Sequence, residues 1–511
     1  MDGVATGAHR ALLAGLAAGL ILLPTAAAAL GSTTRMSIAT GGGQADGRSF
    51  VPAISADGRY AAFYSDASNL VPGDANGARD VFIRDRQTGE TTRASVDGAG
   101  AEANDDSFEP AISADGRFVA FSSSATNLVA GDSNEANDVF VRDRQANTTT
   151  RVSVGLAGAN ANGGSDSPSI SGDGRLVAFT SAATNLVEDD TNGQRDAFVF
   201  DRLTGVTTRA SLSFVGEQAI LDSFTPELSA DGRYLAFTSF ASNLVTFDDN
   251  EGSDVFVRDL QANSTTRVSE YTGGFQVDGD SLRPSISASG RYVAFDSDAW
   301  NLVWGDTNDV FDVFVHDRQT GVTTRVSVDD SGLQSDGASF RPSLSGDGRY
   351  VAYYSEASNL VSGDNNGAGD VILFDRRSGA TKRMSVAGGG GEANGDSERP
   401  ALSGSGRLVI FESDATNLVT GDSNQFTDVF VHDPGATRPP PPPPIRCVVP
   451  KVIGMRLAVA RKRIGRANCR VGTVRRARAK PKRAGKVLSQ SPRARSVRAR
   501  GAKVNLVVGR R

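Results

Sequence analysis

Ser113-Ala-Asp-Gly-Arg-Phe-Val-Ala-Phe-Ser122, followed by Asp138-Val-Phe-Val-Arg-Asp143, is the stretch on which the fold turns. An Asp-Gly turn feeding an apolar, aromatic run is a hairpin signal, and Phe118 to Ser122 is apolar enough for a buried strand. Before it, Pro110-Ala-Ile-Ser113 reads as a short strand entering the turn Ala114 to Arg117. After it, Asp138 to Asp143 is a third strand, and Thr149-Thr-Arg-Val-Ser-Val154 a fourth beyond a polar hairpin loop. One unit is therefore four strands, and nothing in the body has the apolar spacing of a long helix.

The unit recurs. Gly58, Gly116, Gly174, Gly232, Gly290, Gly348 and Gly406 each precede Arg at a constant step of 58 residues, and Arg35 to Arg383 and Asn69 to Asn417 keep the same step. Seven copies of a four-stranded unit predict an all-β, seven-bladed β-propeller over residues 33–433. The ends predict how it closes. The seventh repeat has its third strand at Asp428 to Asp433, then Pro434 and a proline run remove its fourth. The missing strand type stands at the other end, as Thr33-Thr-Arg-Met-Ser-Ile38. An N-terminal strand completing the last blade leaves no open sheet edge at the ends of the array.

Ser229-Ala-Asp-Gly-Arg-Tyr-Leu-Ala-Phe-Thr-Ser239 followed by Asp254 to Asp259 resembles the TolB-type, WD-repeat-like propeller repeats of bacterial envelope proteins. The turn carries Ala, Gly or Ser where that family often has Pro, and the link to the third strand is longer. The resemblance implies a propeller over about 400 residues. It implies little about function, because propellers host many.

Between second and third strands every repeat has Asp, one residue, Asn, three residues, Asp. The sets are Asp74, Asn76, Asp80; Asp132, Asn134, Asp138; Asp190, Asn192, Asp196; and Asp248, Asn250, Asp254. The rest are Asp306, Asn308, Asp312; Asp364, Asn366, Asp370; and Asp422, Asn424, Asp428. Hard oxygens at alternate positions of a polar loop suit Ca²⁺. The loop resembles a shortened form of the calcium loops in integrin-type propellers, without their regular third ligand between the Asn and the last Asp. The same residues serve equally as Asx-turns that satisfy backbone N–H groups, and both readings stand.

Catalytic candidates are scarce, and the expectation is a protein that is not an enzyme. His316 and His432 occupy the third-strand position usually held by Arg and are expected to be exposed, without the partners a general base needs. The body has no Cys, and no Gly-x-Ser-x-Gly elbow precedes a hydrolase domain. A function confined to one place must break the repeat. Trp300 and Trp304 in the fifth connection, and Phe247 in the fourth, do so and are candidate partner contacts.

The chain ends differ from the body. Residues 1–29, with a basic start, an apolar Ala11 to Leu23 and small residues to Ala29, read as a signal peptide, implying a mature chain without a transmembrane segment. From Ile445 to Arg511 there are 22 Lys or Arg and no Asp or Glu, which leaves the remainder at a net of −27. An acidic body argues against nucleic acid as a ligand. Residues 434–446 form a proline-rich linker whose six prolines, Pro439 to Pro444, span about 19 Å. Residues 447–509, with Val449-Pro450, a helical spacing from Leu457 to Ile464 and Val487-Leu-Ser-Gln-Ser-Pro492, resemble a PASTA domain: a short helix and a three-stranded sheet. In an exported chain, Cys447 and Cys469 are expected to pair as a disulfide that supports a small core.

PASTA domains are associated with peptidoglycan fragments, so the resemblance implies a cell-wall polymer as the partner of residues 447–509, and an extracytoplasmic or wall-associated protein. The propeller is then an interaction scaffold for an unknown protein. Two alternatives stay open: a propeller lyase or hydrolase acting on extracellular glycans, and a calcium-stabilised surface protein.

Overall fold

Each 58-residue repeat folds into one four-stranded antiparallel sheet, and there are seven such sheets in the described chain. The computed structural model describes residues 31–435 and 447–510, apart from residues 468, 495 and 499–501. The signal-peptide reading of residues 1–29 and the proline run of the linker lie outside the described residues. The chain divides into two compact units after residue 435.

In the second repeat the strands are Ser107–Ile112, Phe118–Ser123, Asp138–Asp143 and Thr148–Arg151. The innermost begins three residues before the expected Pro110. The outermost ends at Arg151 rather than Val154, because Val152 N–H turns onto Val139 O and the Ser153 hydroxyl donates to the Asp138 carboxylate. Val119, Ala120, Phe121, Val139, Phe140 and Val141 are all buried, so the two middle strands are covered on both faces by neighbouring sheets. That is why they read as continuous apolar runs rather than alternating ones.

Closure is visible three ways. Ser32–Arg35 pairs antiparallel with Asp428–Asp433, completing the seventh sheet from the other end of the domain. Seven apolar clusters fill seven sheet-to-sheet interfaces, and one of them joins Phe63 and Phe82 of the first sheet to Ile410 and Val431 of the seventh. Only a closed ring has as many interfaces as sheets. At the axis a belt of backbone hydrogen bonds runs Ala56→Ala114→Gly172→Ala230, resumes from Asp231 N–H to Ala288 O, then Ala288→Gly346→Gly404→Ala56, at 2.9–3.1 Å. In six of the seven Ser-Ala/Gly turns the Ala or Gly is thus the donor at a point of close approach, where Pro has no N–H to give.

The second unit has a helix, Leu457–Arg466, and a sheet of Arg470–Arg478, Lys503–Arg510 and Val487–Ser491, with Lys503–Arg510 central. Val449, Val452, Ala460, Ile464, Val487, Val504, Leu506 and Val508 form its core. Cys469 is buried there and is not a free thiol. The side chain of Cys447, its expected partner, lies outside the described residues. No helix among the described residues is long and apolar enough to cross a membrane.

Candidate functional site

The innermost strands meet around a central channel, and their sequence contains the device that shapes it. Each reads Ser-x-x-Pro: Ser49 to Pro52, Ser107 to Pro110, and onward to Ser397 to Pro400. Proline cannot donate to the sheet ladder, and pairing slips by a bulge at this point in all seven sheets. The residue before each Pro has φ of 46° to 53°: Val51, Glu109, Ser167, Thr225, Arg283, Arg341 and Arg399. These seven residues line a cavity of about 340 Å³, together with six of the prolines and Glu227. A repeated backbone bulge therefore presents a ring of unlike side chains.

The ring is polarised. Glu109 belongs to the second sheet and Glu227 to the fourth, whereas Arg283, Arg341 and Arg399 follow one another on the fifth, sixth and seventh. Arg283 Nη1 lies 2.5 Å from Asp296 Oδ2, and Arg399 Nε lies 3.3 Å from Glu412 Oε1. Each carboxylate also accepts a backbone N–H from the next sheet, Arg341 to Asp296 at 3.2 Å and Val51 to Glu412 at 2.6 Å. Burial pushes the carboxyls of Asp296 and Glu227 up to about 7, against the pull of Arg283 on the first and the Ser169 hydroxyl on the second. Burial also raises Glu109, against a hydrogen bond from Ser167 N–H at 3.0 Å. In the sixth sheet the position equivalent to Asp296 and Glu412 is Tyr354, which supplies no carboxylate. Burial, and then the charges of Arg399 and Arg283, lower the pKa of Arg341.

Sequence reasoning passed over this ring. The signal was present, since Val, Glu, Ser, Thr, Arg, Arg, Arg before a constant Pro breaks the repeat as plainly as the tryptophans do.

In the Asp-Asn-Asp loops, a cation already stands among the oxygens. Arg93 Nη1 lies 2.8 Å from Asp80 Oδ2, 3.5 Å from Asp74 Oδ1 and 2.7 Å from Glu102 Oε2. Arg151, Arg209, Arg267, Arg325 and Arg383 hold the corresponding pairs, and Arg35 reaches Asp422 at 2.8 Å and Asp428 at 3.3 Å. The Asn ties the loop down: Asn76 Nδ2 donates to Asp80 Oδ2 at 3.1 Å and to Ala103 O at 2.8 Å, while its Oδ1 accepts from Ala78 N–H. Asn134, Asn192, Asn308 and Asn424 repeat both donations, and Asn250 and Asn366 keep the one to the backbone. Asp74, Asp80 and Glu102 also bring one oxygen each within 4.8 Å of one another, the spacing a metal ion needs. Burial pushes Asp74, Asp306 and Asp364 up to about 6.

The aromatic candidates stand in solvent: Trp304 is 94% exposed, Phe247 88% and Trp300 62%. The histidines correct an expectation. His316 and His432 are buried, because the third strand is covered on both faces, and their Nδ1 atoms pair with Thr323 Oγ1 at 3.0 Å and Thr33 Oγ1 at 2.9 Å.

Residues 448–510 match the family model described as the PASTA domain. No curated protein matches the chain. Among solved structures, TolB from Acinetobacter baumannii is 17% identical with a TM-score of 0.38, over 70% of this chain and 67% of that one. An oligogalacturonate lyase in complex with manganese is 11% identical with a TM-score of 0.48, over 78% and 92%. A prolyl endopeptidase is 13% identical with a TM-score of 0.46, over 72% and 46%. The likeness is one of fold. The chain is a β-propeller similar in fold to TolB proteins, with a PASTA domain at its C-terminus. The expectation that the protein is not an enzyme is corrected by the same neighbours. A lyase and peptidases stand among those neighbours, and the expectation is withdrawn.

Proposed function

We propose that the protein works at the cell envelope, exported and held to the wall by residues 447–509 while the propeller presents its loop face to a partner protein. The observation that carries this reading is the PASTA match over residues 448–510, in a segment with 22 basic and no acidic residues from Ile445 onward. Arg461, Lys462 and Arg463 are exposed on its helix, and Arg475, Arg476 and Arg478 on its sheet. A hollow of about 270 Å³ that includes Arg475 is lined also by Thr473, Ser489, Ser491 and Asn505, hydrogen-bonding groups suited to a glycopeptide. Cationic side chains in solvent attract anionic wall polymers, and that attraction weakens once salt shortens the screening length. The loop face, with Phe247, Trp300 and Trp304, supplies the apolar contacts for the partner.

Co-sedimentation with purified sacculi tests the anchor. The full chain pellets at low salt and is released as salt rises, whereas a chain ending at residue 446 stays in solution. No pelleting of the full chain at low salt overturns the reading.

A further inference from the structure

We propose that the propeller channel is a binding site for the oxyanion of a small ligand, a carboxylate or a phosphate, centred on Arg341. Three consecutive sheets place an arginine at the same bulge position, yet only two of them supply its neutralising carboxylate. Arg283 has Asp296 and Arg399 has Glu412, at 2.5 and 3.3 Å. Among the described residues, the Arg341 guanidinium has neither an ion pair nor a hydrogen bond, and it lines the cavity of about 340 Å³. A partly buried guanidinium with no hydrogen-bond partner gains from an anion that joins it, and a planar fork of N–H donors matches carboxylate or phosphate oxygens.

The surroundings limit what enters. Glu109 and Glu227, on the second and fourth sheets, line the same cavity with carboxyls raised by burial and supply no cation, so the ligand carries its charge at the arginine end and a hydrogen-bonding group at the other. Arg283 is held over the Phe340 ring, 5.6 Å from its centroid, and Phe340 in turn packs with Tyr354, so the arginine next to Arg341 is fixed in place. A volume of this size admits a ligand of amino-acid or short-peptide dimensions rather than a folded partner.

Arginine modification of the full chain with phenylglyoxal, read peptide by peptide by mass spectrometry, tests the site without interference from the basic C-terminal unit. Arg341 is expected to react in the free protein and to be protected about ten-fold by N-acetylalanine, by inorganic phosphate or by both. Protection by only one of them identifies the oxyanion. A second readout is the rise in melting temperature with the same probe, which Arg341→Gln should abolish while exposed Arg377→Gln keeps it. An Arg341 that does not react, or that neither probe protects, overturns the proposal. Sedimentation with sacculi is a separate measurement, so either idea can fail alone.

Discussion

The backbone N–H of Gly404 donates to the carbonyl of Ala56 at 3.0 Å, joining the seventh repeat to the first at the propeller axis. This is the last link of a belt in which each sheet donates to the next. A proline at such a position removes the donor and crowds the neighbouring carbonyl. Gly404→Pro and Ala114→Pro are each expected to cost about 1–3 kcal/mol, combining a lost hydrogen bond with an unsatisfied acceptor. Urea midpoints unchanged in both variants would show that the belt contributes nothing to stability.

Two glycines with similar backbone angles should respond differently to alanine. Gly58 has φ +76°, and a Cβ there would come 2.3 Å from Leu408 Cδ1 of the seventh sheet. Gly421 has φ +80° and open space around the same position. Gly421→Ala should cost only left-handed strain, about 1–2 kcal/mol. Gly58→Ala adds a clash at the ring-closing interface and should lose about 1–3 kcal/mol more. Equal losses in thermal denaturation would contradict the packing.

Arg93 supplies the positive charge that a metal would otherwise bring to Asp74, Asp80 and Glu102. The melting temperature of the wild-type protein should therefore be the same in EDTA as in millimolar calcium. Arg93→Ala leaves a buried carboxylate pair without a counter-charge and should lose about 3–5 kcal/mol. Calcium should restore part of that loss in the variant, since a ligand bound only by the folded state stabilises it. A calcium-dependent wild type, measured by differential scanning fluorimetry, would put the metal rather than the guanidinium at the centre of these loops.

His316 provides a pH dependence with a definite sign. Burial, and then the charge of Arg318, lower its pKa from 6.5 to about 4, opposed by Asp317, and Glu270 Oε1 lies 4.0 Å from Nε2. The unfolded chain binds this proton more readily than the folded one. The contribution of His316 is thus complete above pH 6.5 and is lost as pH falls towards 4, by about 3 kcal/mol. Carboxyls raised by burial, such as Asp74, run the opposite way across part of that range. The comparison with His316→Gln isolates the histidine: the stability of wild type relative to the variant should fall between pH 7 and pH 4. A constant difference across that range would mean that the imidazole titrates in the fold as it does in the unfolded chain.

Much of the architecture could be read from residues because a propeller writes each contact seven times. The constant Asn69 was legible as a fixture, and the structure shows its work: Oδ1 accepts from Asp46 N–H and Nδ2 donates to Gln44 O, stitching two connections together. The Gly-Arg pair was legible as a turn, but not that Arg59 grips Asp85 at 2.6 Å from the end of the third strand. The loops illustrate the limit most clearly. An Asp-x-Asn-x-x-x-Asp spacing reports where oxygens are concentrated. The cation among them comes from Arg93, on a different strand, and composition alone cannot place it there.

The sequence by itself determined the number of repeats, the strands in each, the missing last strand with its N-terminal replacement, and the nature of the C-terminal domain. The repeats, strands and closure follow from local periodicity, turn chemistry and chain order, which are written along the chain, and the C-terminal domain from its resemblance to the PASTA family. Only the tertiary structure decided that Val51, Glu109, Ser167, Thr225, Arg283, Arg341 and Arg399 form one ring, and that two of its arginines are neutralised while the third is not. The reason is distance: residues 58 apart become neighbours only when the sheets close around an axis. Whether a charge is paired then depends on side chains from separate strands meeting there.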